Sequence, residues 1–242
     1  MKKKGLALHW DRLKRSLGRR SREWMLPRGF RRLGTRYGGW WINARLLSPS
    51  PLLIDCGLGE DISFPLALLD TYGGIVIGVE PNPRSLAYCK SRLQPGMEIV
   101  EAAFWTVAGE SLTFHLPRPQ ALLPKGADGV SGSLVDSHEY VDGGTSITVP
   151  TVDLATLLDR AGRAECDILK LDVEGAEYSI LESLTASGQI RRARQVLVEF
   201  HHGVTHHLLA ETQEAVARMS RAGFDLAHTE GRNYIFVRRS HE

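Results

Sequence analysis

The sequence predicts an α/β protein: a Rossmann-like, mostly parallel sheet that ends in an antiparallel hairpin. Three observations carry this expectation. From residue 52 onward, short β-branched runs alternate with helical stretches, the pattern of parallel strands covered by helices on both faces. The first apolar run, LLID, opens into the turn Cys56-Gly57-Leu58-Gly59, where two glycines let a ligand approach the backbone. Near the end, FDLAHTE and YIFVRR are separated only by Gly231-Arg232-Asn233, a hairpin signal.

The elements follow in order. Leu52–Asp55 reads as a buried strand, and Asp61 as the cap of a helix through Leu69, with Pro65 tolerable near its first turn. Gly74–Glu80 is a second strand ending in an acid. The helix after it begins with Asn82 as N-cap and Pro83 at its first position. Met97–Trp105 is a third strand, which SLTFHLP could extend. Leu116–Thr145, rich in Pro, Gly and Ser and without periodicity, reads as an inserted loop. Thr151–Gly162 is a helix with a glycine stop. Asp167–Val173 is a fourth strand, Ala176–Leu184 a helix, Arg194–Phe200 a fifth strand, and Leu208–Ala222 a helix ending at Gly223.

Composition narrows the classes. With 242 residues, 43% of them hydrophobic, the chain can bury a sizeable core. No stretch approaches eighteen consecutive apolar residues, and Asp11 interrupts the basic start before a signal-peptide core develops. Cys56, Cys89 and Cys166 are odd in number and scattered, as expected of reduced thiols in a cytoplasmic protein. Residues 1–36 hold thirteen Lys or Arg against two acids, a local charge of +11, which leaves the remainder at −9. They read as a basic arm, with 37–242 as the catalytic domain. Such an arm could meet nucleic acid or an anionic surface, or lie on its own acidic body.

The loop chemistry selects a ligand. A dinucleotide needs its pyrophosphate on a helix N-terminus and a third glycine for close packing. Here the corresponding position is Ile62, and Glu60 and Asp61 would repel phosphate. S-adenosyl-L-methionine has no phosphate; it carries a sulfonium and an ammonium, for which neighbouring acids are harmless or favourable. Ligands of such sheets bind beyond the carboxyl ends of the strands. The expected cofactor-binding set is therefore Asp55, Gly57, Gly59, Glu80 and Asn82, with Glu80 placed to accept the ribose hydroxyls.

The segments LLIDCGLGEDISF, GVEPNPRSL, VDLATLL, ILKLDVEGAEYSIL and VLVEFHH together resemble the FkbM family of methyltransferases, over roughly residues 35–238. KLDVEGAE (Lys170–Glu177) is the most specific of them. The resemblance implies the seven-stranded methyltransferase sheet, S-adenosyl-L-methionine as cofactor, and O-methylation of a hydroxyl on a small-molecule or glycan acceptor, such as a sugar or secondary metabolite. Many family members carry an Asn and a later Gly where this chain has Gly59-Glu60-Asp61, which marks it as similar to a G-E-D-I-S-F subgroup.

Asp172 and Glu174, two apart at a strand's end, can share one face toward the cleft, and His201 follows the fifth strand at the same rim. These three are the expected catalytic residues, with His201 as the leading base because imidazole titrates in the useful range. A metal is not expected: His201, His202, His206 and His207 form no compelling ligand set, because adjacent strand residues point apart. Arg36–Ile42 (RYGGWWI) could be a substrate platform or simple packing. Two alternatives remain open from sequence, an RNA-binding or RNA-modifying protein led by the arm and a catalytically silent scaffold.

Overall fold

The computed structural model describes residues 28–122 and 131–240. Its centre is a seven-stranded sheet built from β3 (Leu52–Cys56), β4 (Ile75–Val79), β5 (Met97–Val100), β9 (Cys166–Leu171), β10 (Ala193–Glu199), β11 (Phe224–Glu230) and β12 (Asn233–Arg238). The spatial order is β11-β12-β10-β9-β3-β4-β5. β3, β4, β5, β9 and β10 run parallel, and β12 enters antiparallel between β10 and β11. The order reverses between β3 and β9, so a crevice opens there beyond their carboxyl ends.

Burial on both faces explains why the central strands are apolar without alternation. All residues of β3 and β9 are buried. Leu52, Ile54 and Cys56 face one core with α3 (Leu154–Arg160), α4 (Glu177–Ala186) and α5 (Leu209–Arg221). Leu53 faces the other core, with α1 (Ser63–Tyr72), α2 (Pro83–Lys90) and the hairpin of β1 (Phe30–Leu33) and β2 (Trp40–Asn43). A fully buried leucine such as Leu53 contributes roughly 1.5–3 kcal/mol by leaving water. Gln195, also fully buried, ties the hairpin to β10: its amide accepts from Asn43 N at 2.7 Å and donates to Asn43 O at 3.1 Å. The boundary drawn at residue 36 thus falls inside a packed hairpin, and residues 1–27 of the basic arm lie outside the described residues.

Several expected elements shift. The third strand stops at Val100, and after a turn β6 (Ala103–Phe104) leaves for a second sheet of order β6-β8-β7. SLTFHLP is β7 (Ser111–Pro117) of that sheet and does not extend the third strand. Its partner β8 (Val141–Val152) takes over the last part of the expected loop and the first residues of the expected helix. That helix starts only at Leu154, where Asp153 accepts from Thr156 N. Asp61 is not the N-cap residue itself; Ile62 is, and Asp61 Oδ1 accepts from Ser63 N at 2.9 Å, one position earlier. Asn82 caps α2 as expected, accepting from Arg84 N, with Pro83 behind it. No described helix is long and apolar enough to cross a membrane.

Candidate active site

The crevice is a cavity of about 640 Å³. One wall is the turn after β3. Gly57 has φ 84°, and a Cβ there would stand 1.7 Å from the carbonyl oxygen of Asp172. The close approach of the Asp172 carbonyl therefore requires glycine here, and Gly57 also lines the cavity. Gly59, at φ 56°, has open space where its Cβ would be and lines the cavity.

Glu80 directly follows β4, with 5% exposure. Its Oε2 accepts from Leu58 N and Gly59 N at 2.9 and 3.0 Å, and Oε1 accepts from Asn82 N at 2.8 Å. Burial raises its pKa, and these three N–H groups and Lys170 oppose the rise. Each carboxylate oxygen has two acceptor positions, so Oε1 keeps one for a ligand hydroxyl. Asn82 is spent on capping α2 and lies outside the cavity lining. The two acids that follow the turn also have local partners. Glu60 pairs with Arg84 at 2.6 Å, and Asp61 Oδ2 accepts from Thr35 Oγ1 at 2.5 Å and Gly38 N at 3.1 Å. Asp61 thereby pins the segment that carries Tyr37 to the cavity rim. Of the RYGGWWI stretch, Trp40 and Ile42 are core, whereas Tyr37 is 73% exposed and lines the cavity.

Asp55 does not line the cavity. It is buried beneath it, 2.9 Å from Nζ of Lys170, which also donates to Gly57 O at 2.6 Å and lies 3.6 Å from Asp172 Oδ2. Asp55, expected at the cofactor, is thus held in an ion pair below the cavity floor. Burial lowers the pKa of Lys170, but the carboxylates of Asp55 and Asp172 outweigh it and hold the ammonium above its usual range. Sequence reasoning passed over Lys170, although a lysine between leucines in a buried strand demands a partner.

The opposite wall gathers Asp172, Glu174 and His201, as expected. Nε2 of His201 stands 3.1 Å from Glu174 Oε2 and 3.8 Å from Asp172 Oδ1, and Nδ1 lies 3.2 Å from Oε1 of Glu177. Glu177 is fully buried and also accepts from Gly175 N and His201 N. Burial disfavours the imidazolium, yet Glu174 and Glu177 outweigh it and hold the His201 proton well above the ordinary range. Held between Glu174 and Glu177, the imidazole favours its charged form, which donates rather than accepts a proton. Burial pushes the Asp172 carboxyl up to about 7, with Lys170 opposing and Glu199 adding to the rise. Glu174 goes the other way: the imidazoles of His201 and His138 outweigh its burial and hold it well below the carboxylate range. It adopts φ 53°, the only positive φ outside glycine among the described residues, and side chains tolerate this conformation where surrounding structure over-determines it.

The insertion supplies residues that the sequence did not single out. His138 Nε2 meets Glu174 Oε2 at 2.8 Å, and Ser133 Oγ donates to Glu174 O at 2.6 Å. The remaining histidines disperse. His202 bonds Thr212, His206 bonds Ser137, and His207 bonds Glu211 and stacks on Tyr178. The three cysteines are buried and free, and burial raises their thiols above the nucleophilic range.

Residues 55–226 match the family described as Methyltransferase FkbM domain. No curated protein matches. Solved structures similar to the chain include the METTL16 MTase domain (12% identity, 77% of this chain and 58% of that chain, TM-score 0.42). A precorrin-6y C5,15-methyltransferase from Geobacter metallireducens GS-15 shares 15% identity over 80% of this chain and 82% of that one, with a TM-score of 0.41. A fibrillarin/Nop5p complex shares 11% over 80% and 75%, with a TM-score of 0.44. The chain spans less than two thirds of the METTL16 domain's length.

Proposed function

The chain belongs to the FkbM methyltransferase domain family, and from that premise we propose that it methylates a hydroxyl oxygen of a small-molecule or glycan acceptor. Its methyl donor is S-adenosylmethionine, which supplies an electrophilic methyl group on a sulfonium. The cavity residues fit that donor. Glu80 keeps an acceptor position at the end of β4, and no phosphate has to be tolerated by Glu60 and Asp61 at the turn.

The observation that carries the hydroxyl reading is the group Asp172, Glu174 and His201 across the cavity from the glycine turn. A neutral hydroxyl must give up its proton as the oxygen–carbon bond forms and the carbon–sulfur bond breaks. Asp172, exposed to the cavity, accepts that proton, while Lys170 and His201 keep its carboxylate oriented. Holding acceptor and donor in line can supply on the order of 7–11 kcal/mol of the barrier at the upper end, and proton transfer to a positioned base about 10²–10⁴-fold in rate.

Calorimetric titration with S-adenosylhomocysteine tests the cofactor half of this reading. Wild type should bind, and Glu80→Ala should weaken binding by roughly 1.5–3 kcal/mol, the scale of a charge-assisted hydrogen bond. Equal binding by both proteins would remove Glu80 from the site, and NADH binding in place of the homocysteine adduct would overturn the reading. Transfer of labelled methyl to a panel of glycosides tests the acceptor half. Label that stays base-stable on oxygen is the expected result, and label on nitrogen would refute O-methylation.

A further inference from the structure

We propose that Asp172 Oδ1, Glu174 Oε2 and His201 Nε2 form a binding site for a divalent cation of the Mn²⁺, Fe²⁺ or Zn²⁺ kind at the acceptor end of the cavity. The proposal rests on the methyl-transfer reading for its use, though not for its geometry. The three donor atoms lie within 4.8 Å of one another, with edges from His201 of 3.1 and 3.8 Å. Ligands held about 2.1 Å from one ion at right angles stand about 3 Å apart, so small side-chain adjustments close the set around a cation.

The second observation is how the two neighbouring imidazoles are held. His138 Nδ1 accepts the backbone N–H of Tyr140 at 3.2 Å, so its proton sits on Nε2 and is donated to Glu174. His201 is the reverse. Its Nδ1 faces the buried carboxylate of Glu177 and donates to it, and Nε2 points at Asp172 and Glu174. Imidazoles that ligate metals generally donate their other nitrogen to a carboxylate in this manner, and ligating carboxylates are themselves hydrogen-bonded. His201 and Glu174 have those two supports, from Glu177 and His138. A cation takes the place of the His201 Nε2 proton, which is released on binding.

One imidazole with two carboxylates suits borderline ions better than Ca²⁺, which takes oxygen alone. The side chains of Asp172 and Glu174 are 27% and 22% exposed toward the cavity, which leaves coordination positions open for an acceptor oxygen and water. With the ion in place Asp172 is a ligand, and an acceptor hydroxyl acidified on the ion gives its proton to a hydroxide on the same ion, which becomes water.

The test uses the full chain, stripped with EDTA and titrated with Mn²⁺ alone, following free Mn²⁺ by electron paramagnetic resonance and bound Mn²⁺ for nitrogen coupling. Saturable binding of one equivalent is expected, with affinity at least tenfold weaker in both Asp172→Asn and Glu174→Gln, and with nitrogen coupling from His201. Circular-dichroism melts of the same samples report whether each variant is folded, and S-adenosylhomocysteine titration reports separately on the donor site. Wild type that binds S-adenosylhomocysteine but no Mn²⁺, or folded variants that bind Mn²⁺ as tightly as wild type, overturns the site and leaves the methyl-donor reading standing. Mn²⁺ binding lost in the variants, in a chain that ignores S-adenosylhomocysteine, upholds the site and overturns that reading.

Discussion

At Gly57 and Gly59 the same residue type answers to two causes. The missing Cβ of Gly57 makes room for the Asp172 carbonyl, whereas that of Gly59 faces open space. Gly57→Ala should therefore unfold the turn or shift β9, lowering the melting temperature by many degrees. Gly59→Ala should cost only the left-handed backbone strain, about 1–2 kcal/mol. Comparable melting temperatures for the two variants would refute this assignment. The acidic residues make a complementary prediction. Asp172→Asn keeps shape while removing charge, so methyl transfer should fall at least about tenfold, about 1.4 kcal/mol of barrier, with little change in melting temperature. An unchanged rate would make Asp172 structural. The crevice placement of Glu80, Asp172, Glu174 and His201 was legible because each lies just beyond the carboxyl end of a strand. Asp55 and Asn82 also sit at strand ends, but one side chain turns under the floor to Lys170 and the other back onto α2. Side-chain direction at a strand end depends on the available partner, and the partner of Asp55 lies 115 positions away.

Between elements, buried and half-exposed ion pairs behave differently. Lys170 joins β3 to β9 through Asp55 in a fully buried pair. Lys170→Met strands a carboxylate in the core, and thermal or urea unfolding should show a loss of about 3–5 kcal/mol; Asp55→Asn added to it should recover part of that. Glu165 joins β10 and β12 at the surface, bonded to Arg194 at 2.6 Å and Arg238 at 2.9 Å. Burial raises its pKa, and the two guanidiniums outweigh this and lower it. A depressed folded-state pKa means stability that is present above the unfolded-state value and lost as pH falls through the folded one. With a third of the side chain exposed, the pair is worth about 0.5–1 kcal/mol. The melting-temperature gap between wild type and Glu165→Gln should hold near neutrality and close below about pH 4. A gap that does not narrow at all as the pH falls from about 7 to 2 would show that packing, not charge, stabilises this corner. The parallel strands and α2 were legible because period, capping and Pro/Gly punctuation agree locally. β8 was not, since Gly143-Gly144 hides its start and only pairing with β7 and β6 makes it a strand.

For the molecule as a whole, the hairpin β1–β2 decides where the domain starts. Removing residues 1–27 should leave a folded protein that binds S-adenosylhomocysteine, whereas removing 1–43 also deletes the buried Leu33, Trp40 and Ile42. At roughly 1.5–3 kcal/mol each, plus the orphaned amide of Gln195, the longer truncation should be insoluble or melt far lower. Equal melting temperatures would show the hairpin to be peripheral. By itself the sequence determined the α/β class, the closing antiparallel hairpin, the phosphate-free donor and the strand ends that bear the acids, because those depend on local period, composition and loop chemistry. Only the tertiary structure decided that Gly57 yields to a neighbouring carbonyl and that His201 is clamped by Glu177. It also brought His138 from the insertion onto Glu174, 36 positions away. Such contacts join residues far apart in the chain, and their energies come from burial and partner geometry that exist only once the strands are side by side.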